Sequence, residues 1–263
     1  MKLFRNLLSR IFFSLTSLFN GKFYAFIMNL KCTNGVKYYY SNGNYFVIDT
    51  NNKHFFLKER GIRYLNGFNR LSLKIANSYN INLVKILDSD HVIDVGANNG
   101  DLLLYLPTCR YFGFEPSLKE FNLLKLNSPK NAITFNKAVG AFSGQIKFFI
   151  SSAKADSSVF EPLNFDEVVQ IEQIKLDDFI TDPVKLLKIE AEGAELEVLA
   201  GATESLSKIE YIAVDASFEK GKLRLSPAVE VINFLYSNNF ELIALSQKER
   251  YLFKNKNYEK VLN

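Results

Sequence analysis

One segment constrains this chain more than any other: the apolar run Val92-Ile-Asp-Val95 leads straight into Gly96-Ala-Asn-Asn-Gly100. A short buried strand feeding a glycine-bearing turn is how an open, mostly parallel sheet starts a strand–helix repeat. Gly96 permits the tight turn, and Gly100 permits close approach of the next element. The rest of the chain keeps that alternation. Strands are expected at 111–115, 132–135, 184–190 and 209–215, with helices after Gly100, where the N-terminus would offer N–H groups to an anion, at 117–127 behind a Ser117–Glu120 capping box, at 194–200 and from Ser226-Pro227 onward. Segments 145–150 and 168–176 read as extra strands around a loop, and 240–245 with 251–253 as a closing antiparallel pair. Uniformly apolar strands alternating with helices mean a mostly parallel sheet with helices on both faces, an α/β Rossmann-like architecture.

In such sheets ligands sit outside the carboxyl ends of the strands. Asp94, Glu115, Asn136, Glu190 and Asp215 all fall at those ends. An acid at Asp94, four residues before Asn98, suits a ligand with both a cationic amine and a carboxylate, as S-adenosylmethionine has. A carboxylate at Glu115 suits ribose hydroxyls, in that cofactor or in a dinucleotide. Glu190 and Glu192 are two residues apart, so they share a face if the strand persists that far. Two close carboxylates raise one pKa, which reads as a base, or an acceptor-orienting group, with its neighbour. Glu192 reads equally as a cap of the helix that follows. Two carboxylates alone make a weak cation site, and no dedicated metal site is expected.

These segments, with Gly113–Ser117, Ala138–Gly140, Leu176–Phe179 and Leu187–Ala202, resemble the FkbM family of S-adenosylmethionine-dependent methyltransferases over about residues 91–245. Arg60–Gly67 resembles, more weakly, a segment that precedes the domain in some members. The resemblance implies a class I methyltransferase fold and O-methylation of a hydroxyl on a sugar, glycan precursor or other small metabolite. By position it implies that Asp94, Gly96, Asn98 and Gly100 hold the amino-acid end of the cofactor. Glu115 would hold the ribose, and Asn136 or Ala138 would lie against the adenine. Three features depart from the pattern. Pro107 cuts the first helix short, Glu190 stands where Asp is more usual, and Asp215 stands where Glu is more usual. The alternatives are a nucleic-acid methyltransferase and a cofactor-binding scaffold without turnover. The first is disfavoured because the fourth strand ends in Lys-Ile-Glu-Ala-Glu-Gly, not the Asn/Asp-Pro-Pro-aromatic run of base amino-group methylation.

The first third differs from the body in charge. Residues 1–90 carry 13 Lys+Arg against 4 Asp+Glu, whereas residues 91–263 carry 19 against 24. A basic segment can face nucleic acid, anionic lipid or an acidic substrate. Lys2, Arg5 and Arg10 precede the apolar stretch Ile11–Phe19, and 23–30 is apolar again. That is too short to span a bilayer and lacks a signal-peptide cleavage site, so the expectation is a cytoplasmic protein. Residues 1–30 then either lie on a membrane surface, making peripheral contact, or pack on the body as a helix. Tyr38–Tyr40 and Tyr45–Ile48 around Asn42-Gly43 predict a hairpin, with a possible third strand at 55–57 and helical spacing from 64 to 87 broken near Asn80. The expected division is therefore 1–88, a helix, small sheet and helical lead-in, and 89–263, the cofactor-binding domain. Cys32 and Cys109 cannot build a disulfide framework. His91 at the start of its strand reads as structural, and His54 has no assigned role. Arg60, Arg63 and Arg70 read as solvated charges or as a clamp for an anionic acceptor, and the 151–166 loop with Asp156-Ser157-Ser158 as a cover for it.

Overall fold

The computed structural model describes residues 16–258 apart from 17, 34, 107, 152–156 and 247–248. Most of the first apolar stretch, Pro107 and Asp156 therefore lie outside the described residues. The chain divides into two compact units, Met1–Ser72 and Leu73–Asn263.

In the first unit, α1 (Gly21–Asn29) accompanies an antiparallel meander of β1 (Lys37–Ser41), β2 (Asn44–Asp49) and β3 (Asn52–Phe56). Asn42 and Gly43 both take positive φ, 50° and 78°, as a two-residue turn matched to strand twist requires. The interior is aromatic: Tyr24, Tyr38, Phe56 and Tyr64 are buried with Met28 and Val47. His54 is buried there too, between the rings of Tyr64 and Phe68, so it is a packing residue. Arg60 and Arg63 sit in a 3-10 segment, Lys58–Tyr64. The boundary between the units falls inside α2 (Phe68–Ser78), which carries Arg70, and left-handed Asn80 interrupts the helical path beyond it.

The second unit opens with β4 (His91–Val95) and β5 (Arg110–Phe114), followed by α3 (Leu118–Asn127), β6 (Ile133–Phe135) and β7 (Ala138–Val139). Next come β8 (Gly144–Ile150), β9 (Glu167–Ile174), β10 (Val184–Ile189), α4 (Glu195–Ala200) and β11 (Ile209–Asp215). The described part closes with α5 (Ala228–Ser237), β12 (Phe240–Leu245) and β13 (Arg250–Asn255). The main sheet runs β12-β13-β11-β10-β4-β5-β6. All its pairings are parallel except those made by β13. Strand order reverses between β4 and β10, which makes the crevice at their carboxyl ends the expected ligand position. Ile93, Phe114, Leu187, Ile189, Ile212 and Val214 fill the core beneath.

Two expectations need correcting. Only a single 3-10 turn, Asp101–Leu104, follows Gly100, so no α-helix N-terminus stands over the glycine loop. Ser117 and Glu120 bond side chain to side chain and do not cap backbone N–H groups, because the Ser117 N–H is already given to Glu115 Oε1. The extra strands form a separate sheet, β7-β9-β8, which includes Ala138.

Candidate active site

The glycine loop is shaped by left-handed backbone: φ is 71° at Gly96, 51° at Asn98 and 81° at Gly100. A Cβ on Gly96 would stand 1.8 Å from the Glu190 carbonyl oxygen, so this position admits no side chain. The N–H groups of Gly96 and Ala97 both donate to the Phe114 carbonyl at 3.0 Å, tying the loop to the end of β5. Asn98 N–H then donates to Glu115 Oε2 at 2.8 Å, and Ser117 N–H to Glu115 Oε1 at 2.9 Å. Asn136 donates its amide to the carbonyls of Glu115 and Pro116 at 3.0 and 2.9 Å, holding the turn that presents the carboxylate. Gly96, Asn98, Glu115 and Asn136 are thus brought together. Ala138 is buried two residues further on.

Asp94 takes a place the sequence did not reveal. It is 1% exposed, with Tyr111 O–H donating to Oδ2 at 2.7 Å and Lys188 Nζ 3.0 Å from Oδ1. Its carboxylate is buried and held between these two side chains. Lys188 also reaches Glu190 Oε2 at 3.1 Å and donates to the Gly96 carbonyl at 3.0 Å. Burial alone would depress the Lys188 ammonium, but Asp94 and Glu190 outweigh it and keep the amine charged.

Glu190 has a second cationic neighbour, Arg250, whose Nη2 lies 3.4 Å from Oε1. Arg250 Nε binds Asp215 Oδ2 at 2.6 Å, Nη1 donates to Ser78 Oγ at 3.0 Å, and the guanidinium lies 4.3 Å from the Tyr79 ring centre. Burial pushes the Glu190 carboxyl up, but Lys188, then Arg250, then Tyr79 more than reverse this and hold it at about 2. The expectation of a raised pKa at Glu190 is therefore corrected: Lys188, on the same strand, and Arg250, on β13 beyond β11, hold it as a carboxylate. Glu190 and Asp215 share Arg250, so lengthening one carboxylate and shortening the other are reciprocal changes around one guanidinium.

The shared face of Glu190 and Glu192 does not form either. Strand β10 ends at Ile189, and Glu192 takes φ 50°, so the period-two alternation lapses between them. Burial, then Asp215 and Glu190, push the carboxyl of Glu219, in the loop after β11, up to about 7. The near-neutral carboxyl at the end of these strands is thus Glu219. Nothing in its sequence context distinguishes it.

Three loops meet here. A Cβ on Gly193 (φ 97°) would stand 2.4 Å from Lys220 Cα. Ser158 O–H donates to the Glu192 carbonyl at 2.9 Å, Lys222 pairs with Glu161 at 2.6 Å, and Lys220 lies over the Phe160 ring. Glu195 Oε1 accepts the N–H groups of Ala191 and Gly193 and braces the first loop from below. Of the residues expected in a covering loop, Ser158 is the one bonded to the 190–194 turn, whereas Ser157 Oγ accepts the Ser151 N–H at 3.0 Å. His91, by contrast, lies at the far end of β4 beside Arg110. Among the described residues no group of three or more His, Cys, Asp or Glu is placed to hold a metal ion.

A parallel sheet with an antiparallel β13, a glycine loop after β4 and a carboxylate after β5 define a class I, S-adenosylmethionine-dependent methyltransferase. The family profile described as the methyltransferase FkbM domain matches residues 94–242. The chain belongs to the FkbM methyltransferase family. It is 26% identical over 179 residues to the 2-O-methyltransferase NoeI of Sinorhizobium fredii, covering 58% of this chain and 73% of that protein. It is 28% identical over 147 residues to the hexuronic acid methyltransferase AglP of Haloferax volcanii, covering 51% of this chain and 59% of that one. The crystal structure of a methyltransferase FkbM from Methylobacillus flagellatus is similar at 19% identity and a TM-score of 0.47, over 66% of this chain and 45% of that one.

The residues fit the cofactor. Glu115 is held by two backbone N–H groups, one on each oxygen, which fix the carboxylate at the carboxyl end of β5, and a carboxylate there is the chemistry that receives a ribose diol. Gly96 lets the loop close onto the Glu190 backbone, where no Cβ would fit.

Proposed function

We propose that this enzyme methylates a hydroxyl group of a sugar or sugar acid. The reading is carried by the cluster at the carboxyl ends of β10 and β11, where a permanent carboxylate, Glu190, stands beside a carboxyl of near-neutral pKa, Glu219. The names of the two relatives, a 2-O-methyltransferase and a hexuronic acid methyltransferase, support the same acceptor chemistry. When bound, S-adenosylmethionine supplies an electrophilic methyl group. The chain supplies the rest. Glu115 holds the ribose hydroxyls, Gly96, Asn98 and Gly100 admit the amino-acid end, and Asn136 with Ala138 borders the adenine. Asp94 acts at one remove, by fixing Lys188 under the loop.

Methyl transfer needs the nucleophilic oxygen aligned, and such positioning contributes roughly 7–11 kcal/mol of barrier lowering. A neutral hydroxyl must also lose its proton. Glu190, held at about 2, is too weak a base for that and instead accepts a hydrogen bond from the acceptor. Glu219 receives the proton on its carboxylate. Activity should therefore rise with pH through about 7, as Glu219 ionises.

The test is a methyl-transfer assay on monosaccharides and uronic acids, with the product located by NMR. Glu219→Gln should lower kcat about 100- to 10,000-fold, abolish the limb near neutrality and leave S-adenosylhomocysteine affinity unchanged. Transfer to nitrogen, or to nucleic acid alone, would refute the acceptor class. An unchanged pH profile would remove Glu219 from the chemistry.

A further inference from the structure

The helix α1 is apolar on two sides, and the proposed reaction uses neither. Its inner side is committed: Tyr24, Ala25 and Met28 are buried, and Asn29 bonds Tyr38 on both its backbone N–H (2.7 Å) and carbonyl (2.9 Å), as a neighbouring strand would. Gly21 N–H donates to Tyr45 O–H at 2.6 Å, fixing the other end. This is a docked helix with a set orientation.

Its outer side carries Phe23, Phe26 and Leu30, 54%, 59% and 67% exposed, at the spacing of one helical face. Leu18, 71% exposed, extends the strip before the helix begins. The rings of Phe23 and Phe26 stack with centres 6.3 Å apart, and Phe19 meets Phe23 edge-on at 4.8 Å. Lys22 and Lys31 are exposed at the two ends of the helix, each next to the strip. Acidic residues are absent from the first 48 positions, which carry six Lys and Arg.

We infer that this face is a docking surface for the anionic leaflet of a lipid bilayer, with α1 lying flat in the interface. Charge complementarity selects the occupant. Lys22 and Lys31 flank the strip, so anionic headgroups meet cations at its two ends while the acyl boundary takes up the aromatic strip. Phe23 beside Lys22 and Leu30 beside Lys31, at the two ends of a nine-residue helix, give a shallow, parallel seat. No described helix is long and apolar enough to cross a membrane, and the seat requires none.

The experiment is co-sedimentation of the full chain with phosphatidylcholine vesicles, with and without phosphatidylglycerol, at low and high salt. Pelleting is expected only with phosphatidylglycerol present, and should weaken with salt. Phe23→Ser with Phe26→Ser should weaken it by more than about tenfold, and Lys22→Gln with Lys31→Gln by roughly tenfold. Circular dichroism and Tm should be unchanged, because all four side chains are exposed, and so should methyl transfer to a soluble acceptor. Failure to pellet would overturn the inference. Equal pelleting with pure phosphatidylcholine would do the same, as would pelleting insensitive to the Phe pair. Sedimentation velocity showing a dimer abolished by the Phe pair would assign the face to a second copy and also overturn it.

Discussion

Replacing Gly96 with alanine should break the cofactor site through two separable costs. The left-handed backbone, φ 71°, costs a residue bearing a Cβ about 1–2 kcal/mol. The new Cβ would also stand 1.8 Å from the Glu190 carbonyl oxygen. Carbon and oxygen need about 3.3 Å, so roughly 1.5 Å must open between two backbone segments that have no rotamer to adopt. Overpacking of this kind typically adds about 1–3 kcal/mol. The combined loss of about 2–5 kcal/mol corresponds to a Tm drop of roughly 4–20 °C for a unit of this size. The displaced loop also carries Asn98, whose N–H orients Glu115, so S-adenosylhomocysteine affinity should fall at least about tenfold. Gly43→Ala is the control. Its φ is 78°, and a Cβ there would meet nothing within 4 Å, so it should show the backbone cost alone and leave the cofactor untouched. The measurements are thermal unfolding and calorimetric titration on both variants. If Gly96→Ala matched Gly43→Ala in Tm and the parent in affinity, the steric reasoning would be wrong.

Three further outcomes are expected. Lys188→Met should destabilise the enzyme by about 3–5 kcal/mol in chemical denaturation, because it strands the buried Asp94 carboxylate, and adding Asp94→Asn should restore part of the loss. Burial pushes the Glu195 carboxyl up to about 8, against the backbone N–H groups that bond it. The folded state therefore binds a proton that the unfolded state releases near 4.5, and stability should fall as pH rises between those values, then level off. Glu195→Gln should flatten that dependence when unfolding is measured at pH values on either side of the window. Gly193→Ala, where a Cβ would stand 2.4 Å from Lys220 Cα, should depress turnover while S-adenosylhomocysteine titrates as in the parent. A matching loss of affinity would show that the two loops are not independent.

The sheet was legible because its strands are uniformly apolar and bounded by turns. Ile209–Asp215 emerges with the expected ends, and the hairpin at Asn42-Gly43 forms as its turn chemistry demands. That Gly96, Asn98 and Glu115 come together was legible for a related reason: their meeting depends on two adjacent strand ends and on a left-handed turn opened by a glycine. The charge network was not. Lys188 looks like an interruption in the apolar run Val184–Ile189, and Arg250 lies 60 residues from Glu190. Their meeting depends on the sheet order, and Arg250 is set directly opposite Asp215 by the β11–β13 register. Sequence proximity suggested that Glu190 and Glu192 would repel and raise one another. Spatial proximity to two cations overrode it, and the carboxyl pushed up by burial and acidic neighbours is Glu219, in a loop without periodic pattern.

The antiparallel strand β13 has a consequence for how the enzyme is made. Chain synthesis is vectorial, so Lys188, Glu190 and Asp215 leave the ribosome before Arg250 does. Until β13 inserts between β11 and β12, Asp215 is a carboxylate at a sheet edge without its guanidinium, and that edge offers unpaired backbone. The nascent intermediate is thus both electrostatically unfinished and prone to edge pairing. Maturation of the acceptor side should coincide with closure of the β12–β13 hairpin, making the site one of the last parts of the domain to acquire its native order.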